Sequence, residues 1–154
     1  MMVTALNVAN LFLAWAAEDG DSITNLKLQK LLYYAQAWYL VNSRRRLFSD
    51  PIEAWSFGPV IRDIYLNWKR YGSKPIPYKP TRQEEHRFTG SQLTFLRECY
   101  RIFSNFSATA LLSMSHNEDP WKTAFQRGPN TVISPSQMRD YYTRLYETQN
   151  GKAQ

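Results

Sequence analysis

"LKLQKLLYYAQAWYL", residues 26–40, decides how the rest of the chain is read. Apolar or aromatic side chains stand on nearly every side of this stretch, yet it also carries Lys27, Gln29, Lys30 and Gln36. Leu28, Leu31, Leu32, Ala35, Trp38 and Tyr39 recur at helical spacing, and Leu26, Tyr33, Tyr34 and Leu40 widen the stripe until only a narrow polar seam remains. A helix with so wide an apolar surface is stable in water only when neighbours cover it, so the spacing predicts the central helix of a bundle. Thr24 is placed to cap its start. Arg44, Arg45 and Arg46 mark its emergence into solvent, since three adjacent guanidinium groups cannot all be buried.

Upstream, Val8, Leu11, Phe12, Trp15 and Ala16 form a second amphipathic stripe, with Gly20 just past its end. Downstream, "PIEAWSFGP" is bounded by proline at both ends and alternates like an extended chain, which predicts a short strand or extended loop within residues 47–57. Pro59 fits the first position of a third helix, with Val60, Ile61, Ile64, Tyr65 and Trp68 inward and Gly72 as its stop. Residues 73–90 hold three prolines and several charges and read as a long surface crossing, a kind of loop that is usually functional or mobile. Periodicity returns from Ser91 with Leu93, Leu96, Tyr100 and Phe103. Ser107 caps a short fifth helix, Asp119-Pro120 opens a piece reaching Gln126, and Ser134-Pro135 opens a terminal helix with Met138, Tyr141, Tyr142 and Leu145 inward. The expected fold is therefore mainly α, a single-domain bundle of six or seven helices over residues 1–147 with one short extended segment, followed by a frayed tail at 148–154.

A chain of 154 residues can bury a core without a disulfide or structural metal. Its lone cysteine, Cys99, fits a reducing, cytoplasmic setting. The apolar run from Val8 to Ala17 is too short to span a bilayer and has no basic residue before it, so neither membrane insertion nor export is expected. The net charge of +6 favours an acidic partner, nucleic acid or protein, although a mildly basic surface also serves solubility.

Most catalytic signatures are missing: there is no phosphate-cradling glycine loop, no nucleophile elbow and no cysteine pair for zinc. "SHNEDPW", residues 115–121, places His116 and Glu118 at the H-x-E spacing of zinc deaminases, but without the P-C-x-x-C that completes such a site. An enzyme built on His116, Glu118 and Asp119 stays as an alternative to a helix-terminal histidine that bonds backbone groups. In "KRYGSKPIPYKPTR" five basic residues are interleaved with Tyr71 and Tyr78, a pattern that suits stacked bases, a protein partner or a plain solvated loop. Five tryptophans and ten tyrosines suit a core margin and an interface equally well.

Taken together, "ITNLKLQKLLYYAQAWYL", "LFSDPIEAWSFGPVIRDIY" and "LLSMSHNEDPW" resemble the Panacea domain, the family of SocA-like antitoxins and phage-associated GepA-like proteins. The blocks follow in order along nearly the whole chain; each alone is weak. The resemblance implies a helical domain acting as the antitoxin of a toxin–antitoxin pair, often carried by prophages, that neutralises a cognate toxin by direct binding. One branch is similar to an adaptor that delivers its toxin to a AAA+ protease. No cofactor or metal is expected, and operator or other nucleic-acid binding is disfavoured, since the DNA-binding module of some relatives is not seen. Leu28, Gln29, Lys30, Tyr33, Trp55, Gly58, Pro59, His116, Glu118, Pro120 and Trp121 are then expected to build the scaffold, with Gln29 and Lys30 holding the "EAWSFGPV" or "SHNEDPW" turn by hydrogen bonds. Trp55, Phe57, Tyr65, Trp68, Tyr71 and Tyr78 are the expected toxin-binding residues.

Overall fold

Everything in the molecule is arranged around one helix. The computed structural model describes residues 2–151, and within them α2 (Asn25–Ser43) touches α1 (Ala5–Glu18), α3 (Arg62–Trp68), α4 (Gly90–Phe103), α5 (Ala108–His116) and α7 (Pro135–Gly151). A short α6 (Asp119–Arg127) completes the set of seven helices among the described residues. Twelve residues of α2 are buried, on all sides of the helix. Its apolar side chains are therefore covered whichever way they point, and each fully buried leucine contributes about 1.5–3 kcal/mol.

The helix boundaries follow from local chemistry. Thr24 accepts from the Lys27 N–H, Ser107 from Ala110 and Thr89 from Gln92, and each satisfies a donor the helix cannot. Thr4 and Asn7 form a reciprocal pair at the start of α1. At its far end α2 closes on Arg44, which adopts the left-handed conformation with φ 59°; Arg44, Arg45 and Arg46 are all exposed.

Where α2 leaves the core, the chain folds back as an antiparallel sheet of order β2-β1-β3, with β1 Glu53–Trp55, β2 Gly58–Val60 and β3 Thr131–Val132. The two-residue β3 pairs Glu53 with Val132 and Ala54 with Thr131 across almost eighty residues of sequence. Pro59 corrects the sequence reading: it lies in β2, opposite Ala54, and α3 begins only at Arg62. An edge strand tolerates proline because one side of its ladder needs no donor. The N–H of Ile61, the residue that caps α3, is instead satisfied by the Gln29 side chain at 2.8 Å.

The long 73–90 connection is tied down along its length. Pro75 bridges to Thr24, the Ile76 N–H donates to the Ile23 carbonyl at 2.8 Å, and Ile76 is buried. A 3-10 turn, Glu84–Arg87, then returns to α1, where the Trp15 indole donates to Glu85 at 2.9 Å. The terminal helix α7 runs on through Gly151, and 152–154, part of the expected tail, fall outside the described residues.

Candidate functional site

The β1–β2 hairpin is where the motif blocks converge, and α2 supplies its foundation. Lys30 is fully buried, and its ammonium donates to the Pro59 carbonyl at 3.1 Å. The preceding residue, Gln29, spans between Asn25, to which its amide donates at 3.0 Å, and the Ile61 N–H. Asn25 in turn donates to the Tyr65 carbonyl at 3.1 Å. The polar seam of α2 is thus turned against the hairpin and the start of α3, where it meets backbone groups that would otherwise be buried unpaired. Burial in apolar surroundings lowers the Lys30 pKa to about 7. Gln36 does the same work further along, donating to the Phe48 carbonyl at 2.6 Å and accepting from Leu47 at 2.7 Å.

The "SHNEDPW" turn braces the hairpin from the other side. The Trp121 indole N–H donates to the Trp55 carbonyl at 2.8 Å, and the ring is sandwiched between His116, 3.9 Å away, and Phe125, 4.6 Å away. His116 Nε2 is buried without a hydrogen-bond partner. Burial depresses its pKa, the Lys30 ammonium adds to that, and the Ser56 backbone opposes it. Two residues on, Glu118 Oε1 accepts from both Tyr34, at 2.6 Å, and Tyr142, at 2.7 Å, while the Tyr142 and Tyr33 hydroxyls are 2.9 Å apart. Burial raises the Glu118 pKa and the two phenols pull it back. His116 and Glu118 therefore serve different neighbours, an indole and a phenol pair. Pro120 is buried at the head of α6.

These contacts leave a rigid aromatic platform facing out. The Trp55 and Tyr65 rings meet edge to face at 5.1 Å, and the Arg62 guanidinium lies 5.4 Å from the centre of the Trp55 ring. Glu53 joins the two, accepting from the Trp55 indole at 2.8 Å and from Arg62 at 3.0 Å. Phe57 at the hairpin tip is 52% exposed and Leu66, on the outer side of α3, 55%. Large apolar side chains this open beside a fixed tryptophan and arginine have the composition of an interface centre.

Of the six side chains expected on this face, the structure brings Trp55 and Tyr65 together and exposes Phe57 nearby. Trp68 is a correction: it is only 8% exposed and belongs to the core, because it points inward one turn after Ile64. Tyr71 is half-buried in the 3-10 turn that follows α3, with the Arg70 guanidinium 4.8 Å from its ring centre. Tyr78 lies elsewhere, donating to Glu84 at 2.7 Å and lining a groove with Met2, Leu6 and Asn7 of the α1 end. Leu66 and Arg62 escaped the sequence reading; their position opposite Ile64 and Trp68 on α3 was the signal that marks them as outward-facing. Among the described residues no three histidine, cysteine or acidic side chains converge as metal ligands, and no helix is long and apolar enough to cross a membrane.

Comparison with known proteins places this arrangement in a family. The family described as antitoxin SocA-like, Panacea domain, matches residues 28–122, from the first buried leucine of α2 to the residue after Trp121. The chain belongs to the SocA-like Panacea family. Antitoxin SocA of Caulobacter vibrioides (strain NA1000 / CB15N) is 46% identical over 74 residues, which is 48% of this chain and 39% of that protein. The match thus spans about two-fifths of the relative's length. No solved structure matches the chain. The family match encloses the main supports of the hairpin: Gln29, Lys30, Pro59, His116, Glu118 and Trp121 all lie within it.

Proposed function

We propose that this Panacea-family chain is a non-enzymatic, cytoplasmic antitoxin that neutralises a cognate toxin by direct contact through the Trp55–Tyr65 platform. The observation that carries the reading is the mounting of that platform: two polar anchors, Lys30 on the Pro59 carbonyl and Trp121 on the Trp55 carbonyl, hold a half-buried tryptophan at the surface in one geometry. A pre-ordered aromatic loses little freedom on binding, which is how an interface of ordinary size, roughly 1,600 Å², reaches the about −12 kcal/mol of nanomolar affinity. The buried motif residues fix the mount, and the exposed residues of α3 and the hairpin tip give each family member its own partner.

Co-expression with a candidate toxin taken from the neighbouring reading frames tests the proposal. The native chain restores growth and Trp55→Ala does not, although it accumulates to the same level as a folded protein. Growth that is not restored by the native chain, or that Trp55→Ala restores equally well, rejects the reading.

A further inference from the structure

The positive charge of the chain is not spread evenly. Residues 59–83 carry six cations (Arg62, Lys69, Arg70, Lys74, Lys79 and Arg82) and one acid, Asp63, and so supply five of the net six positive charges. The fold strings the first four of these along α3 and the turn that follows it. Arg62 lies one turn before Leu66 on the outer side of the helix; Lys69 and Arg70 follow it in the 3-10 turn Lys69–Tyr71; and the Lys74 N–H closes back on the Tyr71 carbonyl at 2.9 Å. Arg62 is the one of the four with an acidic partner, Glu53; among the described residues no carboxylate lies within ion-pairing distance of Lys69, Arg70 or Lys74. All three are exposed.

We infer that this face takes a protein partner with an acidic rim, a ring of aspartate and glutamate side chains around an apolar socket that receives Trp55, Tyr65 and Leu66. The inference rests on the docking face proposed above and adds the chemistry of what docks. An apolar centre with charged side chains at its edge is the usual anatomy of an interface, and unpaired rim charges gain most from opposite charges across it, chiefly in the rate of encounter. A nucleic acid would satisfy the cations but leave Leu66 and Phe57 uncovered, so the combination favours protein. There is a mechanistic consequence. Surfaces that bind nucleic acids or nucleotides are basic, so the toxin is gripped outside any phosphate-binding cleft, and neutralisation acts by steric cover or by holding one conformation.

Peptide selection tests this without the partner in hand. A random peptide library displayed on phage is selected on the native chain at low salt, and each enriched peptide is then tested for binding to Trp55→Ala. The expected peptides join apolar residues to an excess of Asp and Glu. Their affinity, measured by fluorescence anisotropy, weakens with salt and falls roughly tenfold for the triple variant Lys69→Glu, Arg70→Glu, Lys74→Glu. Trp55-dependent peptides with no acidic excess, or indifferent to the triple variant, overturn the inference and leave the docking face standing. Peptides indifferent to Trp55→Ala overturn both. Duplex DNA that binds with a steep salt dependence and is lost in both variants overturns it in favour of a nucleic-acid partner.

Discussion

A Cβ built on Gly58 would stand 2.7 Å from Cε of Lys30, closer than any real contact of that kind. The same methyl would meet Leu112 Cδ1 at 3.0 Å and Ser115 Oγ at 3.2 Å, and the backbone there has φ +89°, a conformation glycine adopts freely and other residues do not. The Lys30 stem is flexible in general but buried on all sides here, so it has nowhere to retreat. Gly58→Ala is therefore expected to destabilise by about 2–4 kcal/mol, combining backbone strain with overpacking. Thermal denaturation should show a fall in Tm on the order of 10 °C. A fall of only a degree or two would mean that the hairpin can lift away from α2.

Lys30 also makes stability depend on pH in an uncommon direction. Its pKa is about 7 when folded and near 10.5 when exposed. Below about 7 both states hold the proton and the folded state bears the full cost of the buried charge. Between the two values the unfolded chain holds a proton that the folded chain lacks, so stability rises with pH across that window, by at most about 1.4 kcal/mol per pH unit for one group. Above 10.5 the contribution levels off. Urea denaturation of the native chain and of Lys30→Met at a series of pH values isolates this group, because other titrations cancel in the difference. The native chain should gain on the variant as pH rises through the window, and a difference that stays flat would show that the ammonium is solvated in solution.

How much of this could be read from sequence differs by kind of interaction. The central position of α2 was legible because a stripe that wraps nearly the whole helix has only one stable setting, and the capping residues Thr24 and Ser107 were legible because a cap acts within four residues of itself. Pro59 was misplaced because proline suits both a helix start and an edge strand; the choice between them is made by Lys30 and Gln29, about thirty residues away. The β3 strand left no local trace, since two residues carry no periodicity. Trp68 and Trp55 could not be told apart by type, only by which side of α3 and of the hairpin each one occupies.

That difference between two tryptophans yields a paired measurement. Trp68 is buried among core side chains, so Trp68→Ala should cost about 3–5 kcal/mol of stability. Trp55 is half-exposed and packs chiefly on Tyr65 and Arg62, so Trp55→Ala should cost about 1 kcal/mol while removing more than about 2 kcal/mol of toxin affinity. Chemical denaturation and calorimetric titration of the two variants, side by side, should separate cleanly. If Trp55→Ala proves as unstable as Trp68→Ala, the tryptophan is a structural element of the hairpin and the docking face must lie elsewhere.

Glu118 is the hub of the phenol network, and two substitutions divide its geometry from its charge. Glu118→Ala removes the acceptor of both Tyr34 and Tyr142; Tyr142 keeps its contact with Tyr33, whereas the Tyr34 hydroxyl is stranded in the core. An unsatisfied buried hydroxyl and a lost charge-assisted bond together cost about 3 kcal/mol. Glu118→Gln keeps an oxygen in place and sheds a carboxylate whose pKa burial has raised, so it should stay within about 1 kcal/mol of the native chain. The sign of the pH effect follows from the same shift. The folded state binds the Glu118 proton more tightly than the unfolded chain, so its contribution to stability is present below the unfolded pKa of about 4.5 and is lost as pH rises through the higher folded value. Denaturation curves over the acidic range should therefore show the native chain losing ground to Glu118→Gln as pH increases, with Glu118→Ala the least stable throughout; equal loss from Ala and Gln would place the contribution in the charge rather than in the acceptor.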